Sequence, residues 1–109
     1  MKKPREFHLP TAEWIRVSEG IWQQTIASDS DNGDYTRIYR LEPGAETRNG
    51  TLVHDYSEET YILEGDLIDR RLGATFSAGM YACRQPGMPH GPWRSEGGAI
   101  FLEFRYGKR

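Results

Sequence analysis

The residues of this 109-residue chain best suited to chemistry are few: three histidines, one cysteine and two adjacent glutamates. In "LVHDYSEETYILEGDL" (Leu52 to Leu67), His54 precedes Glu58 by four residues at the entrance to an apolar, β-branched run. In "QPGMPHGPW" (Gln85 to Trp93), Gly87 and the prolines form a rigid turn that presents His90 beside Trp93. If Tyr56 and Glu58 lead into a strand, His54, Tyr56, Glu58 and Thr60 share one face by the two-residue period. A neutral imidazole and a carboxylate on one face are two members of a 2-His-1-carboxylate set. His90, brought across a barrel, completes it. Three protein ligands leave positions open for water or substrate, as catalysis requires. The plainer alternative is a solvated glutamate pair and a turn histidine, and spacing alone does not separate the two.

The remaining polar candidates follow from the same parity. Glu59 faces outward if Glu58 faces in. Ala82 and Arg84 alternate with Tyr81 and Cys83. Arg84 or Arg40 suits a planar oxyanion such as a carboxylate or enolate, although a solvated sheet face is the simpler place for either. Tyr56 is placed to donate a proton or hydrogen bond near the centre, or to serve packing. His8, in the polar N-terminal segment, reads as a surface residue. Nothing in the sequence lowers the pKa of Cys83, so it is not expected to be a nucleophile. Trp14, Trp22 and Trp93 are expected in the core or at a subunit interface.

These residues need elements to hold them. Twelve glycines and six prolines punctuate the chain. Polar turn clusters stand at Ser28–Asp34, Glu42–Gly50, Glu64–Asp66, Leu72–Ala74, Ser77–Met80, Gln85–Pro92 and Ser95–Gly98. Between them, Gly20–Ala27, Tyr35–Glu42, Glu59–Glu64 and Ala99–Tyr106 are rich in β-branched and aromatic residues. Short strands at close spacing predict an all-β sandwich or barrel. The best helical candidate is one turn at Pro10–Trp14, with Thr11 as its cap. In the last strand, Ile100, Leu102, Phe104 and Tyr106 fall on one face, and Phe101, Glu103 and Arg105 on the other. The pattern predicts an apolar core face and a charged, solvated one.

Bulk properties exclude several classes. The length is that of one domain. A net charge of −2 gives no general attraction to nucleic acid. The pairs Lys2-Lys3 and Lys108-Arg109 read as solvated ends. A single cysteine allows no intramolecular disulfide. "MKKPREFHLPTAEW" has no apolar stretch after its lysines, so no signal peptide is expected. No segment approaches the roughly 18 apolar residues of a membrane span, and the cytoplasm is the default expectation.

Taken together, "HDYSEETYILEGD" and Gly79, five residues, "QPGMPH" resemble the two motifs of the cupin superfamily. His54 matches the second histidine of the first motif, Glu58 its glutamate and Gly65 its closing glycine. Gly79, Gly87 and His90 match the second motif, with Gln85 where the family usually has proline. The wider sequence, about residues 12 to 106, is similar in style to the cupin domain of zinc-binding anti-sigma factors and to relatives of acetylacetone dioxygenase. The resemblance implies a single-domain double-stranded β-helix, a jelly-roll barrel, over residues 1–109 with residues 1–12 as an N-terminal arm. It implies a divalent transition metal, iron(II), zinc(II), nickel(II) or manganese(II), on His54, Glu58 and His90. Tyr56 and Arg84 are the catalytic candidates beside it, a small molecule is the expected substrate, and a homodimer is the expected assembly.

The chain departs from the family at Leu52, which stands where a further histidine ligand is common. In an alternative register His54 takes the first histidine place and Tyr56 the second. Either way one histidine is missing. The site is then a three-ligand centre with water in the lost position, or a metal-free pocket for an organic ligand. The implied functions are a metal-dependent dioxygenase- or lyase-type enzyme, a small-molecule sensor without turnover, or a structural barrel. A sigma-binding helical domain is not found in the chain, so a complete anti-sigma factor of that type is not expected.

Overall fold

The computed structural model describes residues 1–107. The terminal pair Lys108-Arg109 lies outside the described residues. Eight strands follow in order: β1 (Ile15–Ser18), β2 (Ile21–Ser28), β3 (Tyr35–Leu41), β4 (Ser57–Asp69), β5 (Ala74–Ser77), β6 (Tyr81–Arg84), β7 (Trp93–Arg94) and β8 (Ala99–Tyr106). All pairings are antiparallel. The all-β expectation holds, and the four strands expected from composition are all present.

Two local expectations fail. Pro10–Trp14 forms no helical turn. A side chain of β2 claims this segment instead: Gln24 Nε2 donates to the carbonyls of Ala12 (2.9 Å) and Pro10 (3.4 Å). Gln24 thereby holds the backbone of Pro10 and Ala12 against β2. The expected turn at Glu64–Asp66 is a bulge inside one 13-residue strand. There the register against β8 shifts between Ile62 and Glu64. Gly65 makes the bend possible. It has φ +79°, and a Cβ on it would stand 1.9 Å from the carbonyl oxygen of Gly98. No other residue fits so close to a neighbouring backbone.

The bulge lets β4 serve both walls of the barrel. Its first half pairs with β8 on one side and β6 on the other, and its second half pairs with β5 and β7. The larger sheet runs β1-β2-β3-β8-β4. Between strands, the segment from Ala45 to His54 zips onto the turn that carries His90. Ser95 N donates to Ala45 O (3.0 Å), Thr47 N to Trp93 O (2.9 Å), Leu52 N to His90 O (2.7 Å) and Gly87 N to His54 O (2.8 Å). This zip joins the two histidine-bearing segments. An apolar cluster of Ile21, Leu41, Ala45, Ile62, Leu67 and Ala99, with Phe76, Trp93 and Phe101 against it, fills one end of the barrel.

Candidate metal centre

The first half of β4 points Glu58, Thr60 and Ile62 inward, all buried, and Glu59 outward, where it accepts a hydrogen bond from Tyr81. The alternation expected for Glu58 and Glu59 is as observed. His54, four residues before Glu58, reaches the same interior, and its Nε2 lies 3.6 Å from Glu58 Oε2. His90 enters from the opposite segment, with Nε2 3.6 Å from Glu58 Oε1. The three donor atoms all lie within 4.8 Å of one another. Metal bonds of about 2.0–2.2 Å at tetrahedral or octahedral angles put neighbouring donors about 3–3.5 Å apart. The donor set suits a divalent cation, and its spacing is slightly wider than that of a formed coordination sphere.

Supporting contacts orient these groups. His90 Nδ1 lies 3.2 Å from the carbonyl of Met88, which can only accept. Nδ1 therefore carries the proton and Nε2 offers its lone pair to the centre. The buried Asp69 accepts from the backbone N–H groups of Arg71, Leu72 and Gly91, tying the β4–β5 turn to the residue after His90. His54 stacks on Tyr56, ring centroids 4.4 Å apart and planes 12° apart, and the Arg105 guanidinium lies over the other ring, 3.9 Å from the Tyr56 centroid. Leu52 sits in a two-way backbone bridge with His90, lines the same cavity and contributes an apolar wall there.

Arg84 lies in this interior, buried, in place of the solvated sheet face that was the simpler expectation. Its Nη1 donates to Thr60 Oγ1 (3.1 Å) and Glu58 Oε1 (3.4 Å), and its guanidinium stands 5.3 Å from the Trp93 ring centre. Arg40, by contrast, is exposed and near Trp14 and Trp22, away from the cavity. Cys83 is exposed.

One residue of the interior was missed. Glu103, on β8, lies opposite Thr60 and Arg37 and accepts from Tyr35 OH at 3.0 Å. It also shares a hydrogen bond with Glu58. Two carboxyl groups can hydrogen-bond only when one carries a proton. The prediction that the Phe101–Glu103–Arg105 face is solvated is therefore inverted. Phe101 packs on the core, Phe101 and Glu103 line the cavity, and Ile100, Leu102 and Phe104 look outward. A period of two identifies the alternation but not which face is inside. The signal available was the pairing of β8 with β4, which sets Glu103 on the face of Glu58.

Electrostatics follow from burial. Glu58 is 4% exposed. Burial pushes its carboxyl up to about 8, with the neighbouring charge of Glu103 adding to the rise and Arg84 opposing it. Burial also raises Glu103. Both imidazoles are held below their usual range, first by burial, then by Arg105 beside His54 and Arg84 beside His90. Neutral imidazoles are the form that ligates a metal. The tyrosines of the cavity wall, Tyr35, Tyr39 and Tyr56, are shifted upward by burial, Tyr39 to about 12. The cavity they line has a volume of about 540 Å³.

Residues 4–107 match the family described as the ChrR cupin-like domain. The chain belongs to this family. Among solved structures, this cupin is similar to an RmlC-like cupin from Shewanella frigidimarina, with 20% identity and a TM-score of 0.76 over 100% of this chain and 96% of that one. It is similar to a chain in the Rhodobacter sphaeroides complex of SigE with the anti-sigma ChrR, with 19% identity and a TM-score of 0.69 over 91% of this chain and 52% of that one. It is also similar to an acetylacetone dioxygenase from Acinetobacter johnsonii, with 20% identity and a TM-score of 0.65 over 95% of this chain and 80% of that one. No curated protein matches it. At these identities the likeness establishes the cupin fold. No helix among the described residues is long and apolar enough to cross a membrane.

Proposed function

We propose that this cupin is a metal-dependent enzyme acting on a small oxygenated organic molecule, with dioxygenase- or lyase-type chemistry. The observation that carries the reading is the convergence of two imidazoles and one carboxyl group inside the barrel. His54, Glu58 and His90 would hold iron(II), zinc(II), nickel(II) or manganese(II). The bound ion would supply Lewis acidity, and with iron access to oxygen chemistry. Leu52 in place of a further ligand keeps one more position available to substrate.

The chain's own residues bind and orient. Arg84 places a cation beside Glu58, where it can receive an oxyanion of the substrate. In the metal-free protein the proton between the two carboxyls rests on Glu58 with Glu103 accepting, and Glu58 would shed it to ligate as a carboxylate. Tyr56 positions His54 by stacking. Tyr39, Phe101 and Trp93 exclude water from the apolar side of the cavity. A homodimer is part of the same proposal, with the outer face of β8 and β4 as the contact.

The test is the metal content of untagged protein purified without chelator, measured by elemental mass spectrometry, for the wild type and for His54→Ala, Glu58→Ala and His90→Ala. The reading expects about one equivalent of a transition metal in the wild type, lost in all three variants. A wild type that neither holds nor takes up iron, nickel, zinc or manganese refutes it. The similarity to the ChrR complex favours a second reading, a small-molecule sensor. Binding of metal and ligand with no conversion of any bound compound distinguishes it.

A further inference from the structure

A second cavity, of about 220 Å³, adjoins the first and shares Thr60, Leu67, Arg84, His90 and Trp93 with it. Its other walls are mostly apolar: Ile62, Phe76, Met80, Ala82 and Met88 among them. Met80 and Met88 are 45% and 48% exposed, so the chamber has a way in that does not pass through the main cavity. An apolar void of about 150 Å³ admits benzene, so this chamber takes a phenyl-sized or branched alkyl group.

The charges around it are specific. Asp69 spends its oxygens on backbone N–H groups of Arg71, Leu72 and Gly91. Arg71 reaches the carbonyl of Pro89 at the rim. Arg84 alone is a buried cation in the shared wall, at 9% exposure. Among the described residues its hydrogen bonds run through Nη1 only, and a guanidinium carries five N–H donors in a planar fork. A buried fork with donors to spare, beside an apolar chamber, selects a carboxylate attached to an apolar body.

We propose that the chamber binds the ring-sized apolar tail of a carboxylate whose head group lies on Arg84, beside the His54–Glu58–His90 centre. The inference deepens the proposed function and rests on the centre being where the substrate reacts.

Phenylacetate is the probe, titrated into metal-free and metal-loaded protein at neutral pH with amide NMR shifts as the readout. The expected result is saturable binding, with shifts at Met80, Ala82 and Met88. Phenylacetamide and acetate bind at least about tenfold more weakly, since a charge-assisted bond is lost in one and the tail in the other. Arg84→Met removes the preference for the acid over the amide. Ala82→Leu, or Met88→Trp from the exposed rim should the first variant not fold, fills the chamber and abolishes phenylacetate binding while metal content is unchanged. Shifts confined to Tyr39 and Phe101, equal affinity for acid and amide, or no binding in either metal state overturns the proposal. Protein that takes up no metal but binds phenylacetate at Met80 and Ala82 refutes the reading of the centre and leaves the chamber assigned.

Discussion

The two faces of β4 and β8 invert the usual arrangement. The inner face, near the centre, pairs Thr60 with Glu103 and Glu58 with both Arg105 and Arg84, and Arg37 lies opposite Glu103 on β3. The outer face of the same strands pairs Leu102 with Tyr61 and Ile38, and Tyr61 with Tyr81. Tyr61 and Tyr81 are 40% and 56% exposed. The charged row is inside and the apolar row is outside. Replacing buried ion pairs by apolar residues is often neutral or stabilising, so stability alone does not call for such an interior. Those charges gather around the three residues that could hold a metal ion. The outer apolar row is of the kind that a partner surface covers.

The comparison can be broken from the inside first. Glu58→Ala leaves Arg84 facing a gap. The expected loss is about 1–3 kcal/mol of stability in chemical denaturation, because the buried Arg84 donor loses its acceptor. Glu58→Gln keeps the volume, and it is expected to lose metal while remaining folded.

Protonation gives the next largest effect. Glu58 ionises near 8 in the folded protein and near 4.5 as a free group. The folded metal-free protein therefore binds more protons than the unfolded chain across that interval, and its stability falls as pH rises through it. His54 and His90 are shifted the other way, and their contribution to the slope is confined to pH values below about 6.5. Between about pH 6.5 and 8 the carboxyl effect stands alone, at up to about 1.4 kcal/mol per pH unit. Denaturation of chelator-treated protein at several pH values measures it. Glu103→Gln removes the neighbouring charge and moves the decline to lower pH, while a flat profile in the wild type contradicts the Glu58–Glu103 pair.

A smaller gain is expected at the apolar wall of the centre. Leu52→His adds a fourth donor opposite His90 and is expected to tighten metal binding at least about tenfold in competition with a chelator. Unchanged affinity places residue 52 off the coordination sphere. The outer face gives the smallest effect on folding. Leu63→Lys, at a position 42% exposed, is expected to change stability by no more than about 0.5 kcal/mol. It is expected to shift a dimer toward monomer in sedimentation, and an unchanged mass rules out this face as the contact.

The sequence by itself determined the strand class and the chemistry-bearing types. Its β-branched runs and glycine-rich turns specify short strands, because those preferences act within a few residues. Parity along β4 put Glu58 and Glu59 on opposite faces, and the match of Glu58 to the cupin glutamate, not parity, chose Glu58 as the inward one. What lay beyond a few residues was decided by tertiary structure. His54 and His90 meet only because the Ala45–His54 segment zips onto the second turn. Gly65 reads as a turn until Gly98 from the β7–β8 connection approaches its α-carbon, after which it is a bulge that carries β4 from one wall to the other. Arg84 and Glu103 read as solvated charges until β6 and β8 close on either side of β4. The period of two reports that a strand has two faces, and only the neighbouring strands decide which of them is the interior.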